Sequence, residues 1–335
     1  MAGPMPPMMY PAMMPAKSGR VGRIFGWSAT GILLSLLLIS IMVNVYLAVF
    51  VRSMTSDVRE VTYQPGDSKQ RIVILPIVGV IDEEMSHFVT QAVQSLRRKH
   101  PAAIVLRVNS GGGGVGASDR IWNQLQILKE ELDIPIVASM GSAAASGGYY
   151  VLASADHIFA EPTTITGSIG VMAQGFTFNG SLDKLGITPE TLIATRSDRK
   201  DLGNPWRSWT ENDRVRIRQL LDTAYERFVK VVHTGRREHM TLEAVRQTAN
   251  GDIFTLSDAL ANKLVDEEGY ISDAINKAKT LAGMPPAQTP HVTLITRPAS
   301  LTSLLSSSSS MIDRLNTQTI RNTLIELAVP RLEYR

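Results

Sequence analysis

The residue of this chain best placed to do chemistry is Ser146, which follows a short apolar strand pattern and precedes a helical one. The strand pattern covers residues 136–140, and the small residues 142–145 lead from Gly141 to the serine. The first turn of a helix offers free backbone N–H groups and the positive end of the helix dipole. A serine that attacks a carbonyl group needs both, although the same position is also typical of a serine that only caps a helix.

A glycine-rich turn also follows the preceding strand pattern, residues 102–108. This turn, residues 109–114, reads NSGGGG. In a parallel sheet both turns lie at the carboxyl ends of the strands, where α/β proteins place their sites. The backbone N–H groups of such a turn can bind a phosphate or stabilise an oxyanion. The turn matches neither a P-loop nor a dinucleotide-binding fingerprint, and a merely flexible turn is the alternative.

Histidine is a weak candidate for the base that would activate Ser146. The serine lies in an A-x-S-x-G pattern close to the nucleophile elbow of α/β-hydrolases, which pair their serine with a downstream carboxylate and histidine. His157 directly follows Asp156 at the start of a strand pattern, which is typical of a histidine with a structural role. The later histidines lie in helical or tail contexts: His233, His239 and His291.

Lysine is the other candidate base, provided that burial keeps its amine neutral. Lys200 lies in an irregular loop, residues 196–209, whose proline and tryptophans could enclose a side chain. Its charged neighbours, Arg199 and Asp201, favour an ordinary surface cation instead. The sequence alone therefore leaves the role of Lys200 open.

The composition excludes several classes of function. The chain has 335 residues, of which 44% are hydrophobic and 19% charged, so a buried core is expected. A net charge of +3 gives no support for nucleic-acid binding. The chain has no cysteine, which excludes disulfides, thiolate metal sites and a cysteine nucleophile. Its six histidines form neither HxH nor HxxxH, so a histidine metal site has little support.

The elements that must position these residues alternate between strand and helix patterns from residue 71 onward. This alternation predicts an α/β fold with a mostly parallel sheet covered by helices. Several prolines follow Gly283, so we expect the compact domain to cover residues 71–283. Residues 284–335, which include a run of serines, are predicted to form a flexible C-terminal tail.

An uncharged run, residues 24–51, precedes the domain and predicts a transmembrane helix. A disordered tail, residues 1–23, comes before it, and a polar linker, residues 52–70, follows it. The positive-inside rule places the N-terminus in the cytoplasm and the domain outside, because basic residues precede the run without acidic ones: Lys17, Arg20 and Arg23. A cleaved signal peptide is the alternative, although its apolar core is usually shorter.

Several motifs, taken in order, resemble the signal peptide peptidase A family of bacterial membrane-anchored serine–lysine peptidases. The resemblance covers residues 70–282. The motifs are LRVNSGGGGV at 106–115, ASD at 117–119, MGSAAASGGYY at 140–150, TGSIGV at 166–171 and KD at 200–201. The family usually has proline where this chain has Gly111, so the resemblance implies a less rigid loop here.

The resemblance implies a Clp/crotonase-like fold, a mostly parallel sheet covered by helices and preceded by one transmembrane helix. It makes Ser146 the nucleophile and Lys200 the general base, with Ser168 orienting the lysine. It assigns the oxyanion to the backbone N–H groups of Gly113 and Gly147. It requires no metal or cofactor.

The resemblance also implies a substrate and an assembly. The family cleaves apolar peptides next to the membrane, such as released signal peptides, with its catalytic domain outside the cytoplasm. This chain carries one catalytic unit, as the family's short forms do, and such forms build a bowl-shaped homo-oligomeric ring, for which an octamer is the expected size. No nucleic-acid partner is implied.

Two other functions remain open from the residues alone. A crotonase-type acyl-thioester enzyme shares paired glycine-rich turns that stabilise an oxyanion, although it lacks a membrane anchor. A catalytically inactive membrane scaffold built on a peptidase fold is the second alternative, which the crowded charges at residues 199–201 favour.

Overall fold

The computed structural model describes residues 31–47, 58–197 and 199–297. The chain forms two units, residues 1–56 with 299–335 and residues 57–298. In the first unit, the described residues 31–47 are helical, with exposed side chains, and are called α1. Across the described residues, no helix has both the length and the apolar character to cross a membrane. The predicted transmembrane segment, residues 24–51, begins and ends outside them, as does the predicted tail, residues 1–23.

The second unit alternates strands and helices, as its sequence pattern predicts. Its described elements in chain order are β1 (Arg59–Gln64), β2 (Asp67–Val78), α2 (Glu83–Lys99), β3 (Ala103–Ser110), α3 (Val115–Leu132), β4 (Ile136–Ala145), α4 (Gly147–Leu152), β5 (His157–Ala160), β6 (Ile165–Gly167), α5 (Asn179–Lys184), α6 (Glu211–Arg236), α7 (Leu242–Thr248), β7 (Ile253–Phe254), α8 (Leu256–Ala261), β8 (Glu267–Glu268), α9 (Ile271–Leu281) and β9 (Pro290–Thr296).

The strands form one sheet with the order β1-β9-β2-β3-β4-β5-β8, and β6 pairs with β4 and β7. The strands from β9 to β8 in this order are all parallel to one another. The antiparallel pairs are β1 with β9 and β6 with β7. The prediction of a mostly parallel α/β sheet is confirmed.

The sheet is covered by helices on both faces because its central strands are apolar on both sides. Ile72 and Ile74 of β2 belong to one core cluster, which also contains buried residues of α9. Val73 and Leu75, which point to the other face, belong to a larger cluster with residues of α2, α3, α4 and α6. The sheet is therefore a buried central layer that fixes the positions of its strand ends.

The sheet extends beyond the predicted domain, residues 71–283. Strand β1 lies in the predicted linker, and β9 lies in the predicted C-terminal tail. The two strands pair with each other, with Val61 opposite Leu294, and β9 continues the sheet beside β2. Their short, partly polar sequences gain stability only from this pairing, which a local pattern does not reveal.

Strand β4 continues through Gly141, where the sequence predicts a break, and ends at Ala145. A Cβ on Gly141 would lie 3.0 Å from the Asn109 side chain, so the glycine lets that side chain pack closely against the strand. Asn109 Oδ1 accepts a hydrogen bond from the Ala143 N–H at 3.2 Å. The longer strand brings Ser146 directly after its last residue.

Candidate active site

Ser146 occupies a strained turn between β4 and α4. Its φ of 52° and ψ of −122° are rare for any residue with a side chain. Its N–H donates to the Gly167 carbonyl at 2.9 Å, and its carbonyl accepts from the Tyr150 N–H at 2.9 Å. The side chain makes no capping hydrogen bond to the helix. The half-buried hydroxyl is therefore left free at a strand-to-helix turn, the geometry of a nucleophile elbow.

The two glycine-rich turns pack backbone to backbone around this serine. A Cβ on Gly112, whose φ is +106°, would lie 2.7 Å from the Gly147 nitrogen and 2.8 Å from Ser146 Cβ. A Cβ on Gly147 would lie 2.4 Å from Ser118 Oγ and 3.1 Å from the Gly113 nitrogen. Only residues without side chains allow this approach, which brings two backbone amides next to the hydroxyl.

Those two amides belong to Gly113 and Gly147, the predicted oxyanion donors. Within the part of the chain that the structure describes, neither N–H donates a hydrogen bond, and Gly147 is the first residue of α4. The loop before Gly113 is held in place, since Ser110 Oγ accepts from the Gly112 N–H at 3.0 Å and the Ile81 N–H donates to the Gly112 carbonyl at 3.0 Å. Free, fixed donors of this kind can stabilise an oxyanion.

Ser168 lies with Ser146 at one cavity of about 410 Å³, which Gly113 also lines. Its φ of 50° is again rare for a residue with a side chain, and its N–H donates to the Asp252 carbonyl at 2.6 Å. The preceding residue supplies the carbonyl that binds the Ser146 N–H. The structure thus brings Ser146, Ser168 and Gly113 to one cavity.

A second, much smaller cavity of about 20 Å³ adjoins Ser146 and Gly147. Its side-chain lining is largely apolar: Val115, Tyr150, Val171, Ala224 and Phe228. The Tyr150 hydroxyl donates to Asp119 Oδ1 at 2.6 Å, and burial, together with this bond, raises the pKa of Tyr150 well above its ordinary value. These residues come from α3, α4, α6 and the segment after β6. The motifs of the sequence include Val115, Tyr150 and Val171, whereas Ala224 and Phe228 of α6 lie in none of them.

Lys200 does not lie at either of these cavities. It is exposed, its N–H donates to the Ser197 carbonyl at 2.8 Å, and it lines a separate cavity with Trp206 and Leu192. Among the described residues, no hydrogen bond links Lys200 to Ser146. The expectation that tryptophans enclose this lysine is not met within one chain, since Trp206 is itself 47% exposed.

The carboxylate next to Lys200 is paired with an arginine. Arg207 Nε donates to Asp201 Oδ2 at 2.6 Å, and Arg207 Nη1 lies 2.5 Å from Asp213 Oδ2. The hydrogen bond from Arg207 lowers the pKa of Asp201 below its ordinary value. Nothing in the local sequence pattern links Asp201 to this arginine, which lies six residues further along the chain.

The histidines considered as alternative bases lie elsewhere. His157 is near a buried ion pair, with its Nδ1 3.9 Å from Asp266 Oδ2, and it lines neither cavity at Ser146. The three later histidines also line neither cavity at Ser146: His233, His239 and His291. Over the described residues, no group of three or more histidine and acidic side chains is arranged to hold a metal ion.

Comparisons with known proteins connect this site with peptidases. The model of peptidase family S49 matches residues 129–285, and the Clp protease model matches residues 62–167. The "Putative signal peptide peptidase SppA" of Enterococcus faecium is 36% identical over 281 residues, which are 76% of this chain and 80% of that protein. "Protease 4" of Haemophilus influenzae is 35% identical over 224 residues, which are 63% of this chain and 35% of that protein.

Among solved structures, a ClpP1 mutant from Listeria monocytogenes aligns with a TM-score of 0.41 at 16% identity, over 60% of this chain and 94% of that one. The Clp protease match and the observed sheet agree on a Clp protease-like α/β fold. The alignment with the Enterococcus relative extends over most of both proteins. The chain belongs to the signal peptide peptidase A family, peptidase family S49, and is a serine peptidase.

Proposed function

We propose that this serine peptidase is a membrane-anchored endopeptidase that uses Ser146 as nucleophile and Lys200 as general base. Its substrates are apolar peptides with small residues at the cleavage site, such as released signal peptides. One observation carries the proposal: the strained turn presents an uncapped Ser146 hydroxyl beside two backbone amides without partners among the described residues.

The mechanism follows from the groups present. Ser146 Oγ attacks the scissile carbonyl carbon while its proton passes to the neutral amine of Lys200. The negative charge that develops on the carbonyl oxygen accepts hydrogen bonds from the Gly113 and Gly147 N–H groups. The lysine then gives its proton to the leaving amine, and water hydrolyses the acyl-enzyme by the reverse sequence of proton transfers. Ser168 orients the lysine by a hydrogen bond.

The location of Lys200 bears on how this dyad forms. Lys200 lines a cavity separate from those at Ser146, so the two side chains of one chain are not in contact. The segment around it carries large apolar side chains that are mostly exposed, as expected of a surface that another copy covers: Met172, Phe176, Leu185, Ile187 and Leu192. We therefore propose that the copies form a ring in which Lys200 of one copy serves Ser146 of the next.

The small cavity beside Ser146 supports the substrate class. A cavity of about 20 Å³ with a largely apolar lining favours a small side chain such as that of alanine. Signal peptides end in small residues at their cleavage site. The Enterococcus relative carries signal peptide peptidase in its name.

The membrane part of the proposal rests on the sequence. Residues 24–51 carry no charge over a length that exceeds a bilayer core, and basic residues precede them. We propose that this segment anchors the protein with its N-terminus in the cytoplasm and the peptidase domain outside. Protease protection in inverted and right-side-out vesicles tests this orientation, and cleavage of the domain from the cytoplasmic side would contradict it.

Two variants test the dyad. Ser146→Ala and Lys200→Ala are each expected to lower the cleavage of a small-residue peptide by about 10⁴-fold or more, because residues of a catalytic unit act together. Labelling of Ser146 by a fluorophosphonate, mapped by mass spectrometry, is expected for the wild type. Unchanged activity in either folded variant would overturn the dyad.

Mixed assemblies test whether the dyad spans two copies. Co-expression of the S146A and K200A variants is expected to restore part of the activity, since some contacts then pair an intact serine with an intact lysine. Co-expression of S146A with the S146A/K200A double variant is the control and should remain inactive. A mixture as inactive as this control would contradict a dyad shared between copies.

A further inference from the structure

Arg207 connects the turn that carries Lys200 to the first turn of α6. Its Nε donates to Asp201 Oδ2 at 2.6 Å, and its Nη2 donates to the Asp201 carbonyl at 3.4 Å. On its other side, Nη1 lies 2.5 Å from Asp213 Oδ2 and Nη2 lies 3.3 Å from Asp213 Oδ1. A planar guanidinium can hold two carboxylates in this way, whereas a lysine ammonium lacks the fork that does so.

The three charged side chains shield one another from water. The side chains of Arg207, Asp201 and Asp213 are 31%, 16% and 13% exposed, although the loop around them is largely at the surface. An isolated surface ion pair contributes little, but a bidentate arginine shared by two carboxylates fixes a loop more firmly. The turn that bears Lys200 is therefore held by a defined set of contacts.

Asp213 is held in place by hydrogen bonds at the N-terminus of α6. It is part of a capping box, in which its Oδ2 accepts from the Thr210 N–H at 2.8 Å and its N–H donates to Thr210 Oγ1 at 3.2 Å. Farther along, α6 packs into the core through Phe228 and Val232. Arg207 and the Thr210 N–H at the helix N-terminus together stabilise the charge of Asp213. Arg207 therefore joins Asp201 to a carboxylate whose position is already fixed.

The charge of Asp201 affects the protonation of its neighbour in the chain, Lys200. Asp201 follows Lys200 in the chain, and both line the same cavity. The charged groups that act on its carboxylate are Arg207 in the same loop and Asp213 on α6, and its charged neighbours in the chain are Lys200 and Arg199. A carboxylate without another partner would favour the charged form of the lysine, whereas a general base must be neutral.

We propose that Arg207 is a positioning residue for Lys200, which holds the Lys200 turn against α6 and occupies the Asp201 carboxylate that would otherwise pair with the lysine amine. The proposal rests on the assignment of Lys200 as general base. Arg207 acts through Asp201 and does not touch the substrate. It makes two distinct contributions, the geometry of the turn and the neutrality of the amine.

The pH dependence of kcat/KM for a small-residue peptide tests this role in the full-length chain. In Arg207→Met, the Asp201 carboxylate loses its partner and is expected to pair with the Lys200 amine, which favours the charged form of the lysine. The midpoint of the kcat/KM profile is expected to move by about one pH unit towards alkaline pH. At pH values below both midpoints, kcat/KM is then about tenfold lower than in the wild type. Adding Asp201→Asn to this variant removes the carboxylate charge and is expected to return the midpoint to the wild-type value.

A matched control is Arg246→Met, which removes another arginine–carboxylate pair, that of Arg246 on α7 with Glu226 on α6. This variant is expected to keep the wild-type midpoint. If Arg207→Met does not fold, Arg207→Lys is measured in the same way, and a smaller shift, again reversed by Asp201→Asn, is expected.

A purely structural role would give a different result. Activity would then fall equally at every pH, with no change of midpoint and no recovery in the double variant, which would overturn the proposal. Unchanged activity in Lys200→Ala would overturn the base assignment and this role together. If Lys200→Ala is inactive but Arg207→Met keeps the wild-type pH midpoint, the role of Arg207 is overturned and the assignment of Lys200 as base stands.

Discussion

At the scale of single residues, two adjacent glycines of the predicted oxyanion loop differ in what a side chain would meet. A Cβ on Gly111 would have no atom within 4 Å, and its φ is not in the left-handed region. A Cβ on Gly112 would collide with Gly147 and Ser146, and its φ is +106°. Only the second glycine is required by the packing around the nucleophile.

These surroundings predict opposite results for two otherwise identical substitutions. Gly111→Ala is expected to keep full activity and to stabilise the fold by about 0.4–1 kcal/mol, because it restricts the unfolded chain. Gly112→Ala is expected to lower kcat by about 10²–10³, because it displaces the amide of Gly147 from the oxyanion. Peptide cleavage and denaturant unfolding of both variants provide the measurements, and equal activity in the two would contradict this account of the loop.

At the scale of elements, α6 holds the far end of α4, the helix that follows Ser146. A Cβ on Gly235 would lie 2.0 Å from the Ala153 carbonyl oxygen, so α6 crosses directly over the end of α4. The next residue, Arg236, is 1% exposed and pairs with Asp266 through two hydrogen bonds of 2.9 and 2.6 Å. The Tyr149 hydroxyl donates to the Leu264 carbonyl at 2.9 Å, which ties α4 to the same region.

The buried ion pair predicts a large loss of stability when one partner is removed. Asp266→Ala leaves the Arg236 guanidinium buried without its carboxylate, and a cost of about 3–5 kcal/mol is expected. Glu226→Ala, which breaks a more exposed pair of the same helix, is the control and should change stability little. Urea unfolding measures both, and similar losses in the two variants would contradict the importance of burial.

The same region predicts that the fold is sensitive to acid. His157 is 15% exposed, and burial lowers its pKa below the ordinary value of 6.5, although Asp266 and Glu267 oppose the shift and Lys277 and Arg236 add to it. A histidine with a lowered pKa contributes stability that is present above 6.5 and is lost as the pH falls below it.

The expected change in unfolding free energy is up to about 1.4 kcal/mol per pH unit for this single proton. Urea unfolding between pH 7.5 and 5 measures it, and His157→Gln should flatten the dependence. A slope as steep in this variant as in the wild type would assign the effect to other groups.

At the scale of the whole molecule, residues 172–206 carry apolar side chains that the domain does not bury. Leu192 is 99% exposed, Met172 78% and Leu185 70%. If copies assemble through this segment, Leu192→Ser should shift the sedimentation of the detergent-solubilised protein towards smaller species. Leu281→Ser, at an exposed apolar residue of α9, is the control, and an unchanged distribution in Leu192→Ser would contradict an interface at this segment.

The sequence predicts the central sheet and the meeting of the two glycine-rich turns because both depend on local patterns. Apolar runs and glycine turns mark β2, β3 and β4, and parallel strands bring the ends of β3 and β4 to one edge. The pairing of β1 with β9 joins opposite ends of the domain, so no local pattern reveals it. The contact of Arg207 with Asp201 and the distance of Lys200 from Ser146 depend on how loops fold, which periodicity does not determine.

The pairing of β1 with β9 has a practical consequence for protein engineering. Arg59 lies opposite Thr296, and antiparallel partners have Cα atoms about 5 Å apart. The first and last strands of the domain therefore bring its two termini together, and a linker of a few residues could join them. A circularly permuted domain, opened instead at the exposed Gly283 between α9 and β9, would keep every strand of the sheet while detaching the peptidase from the segments that precede and follow it.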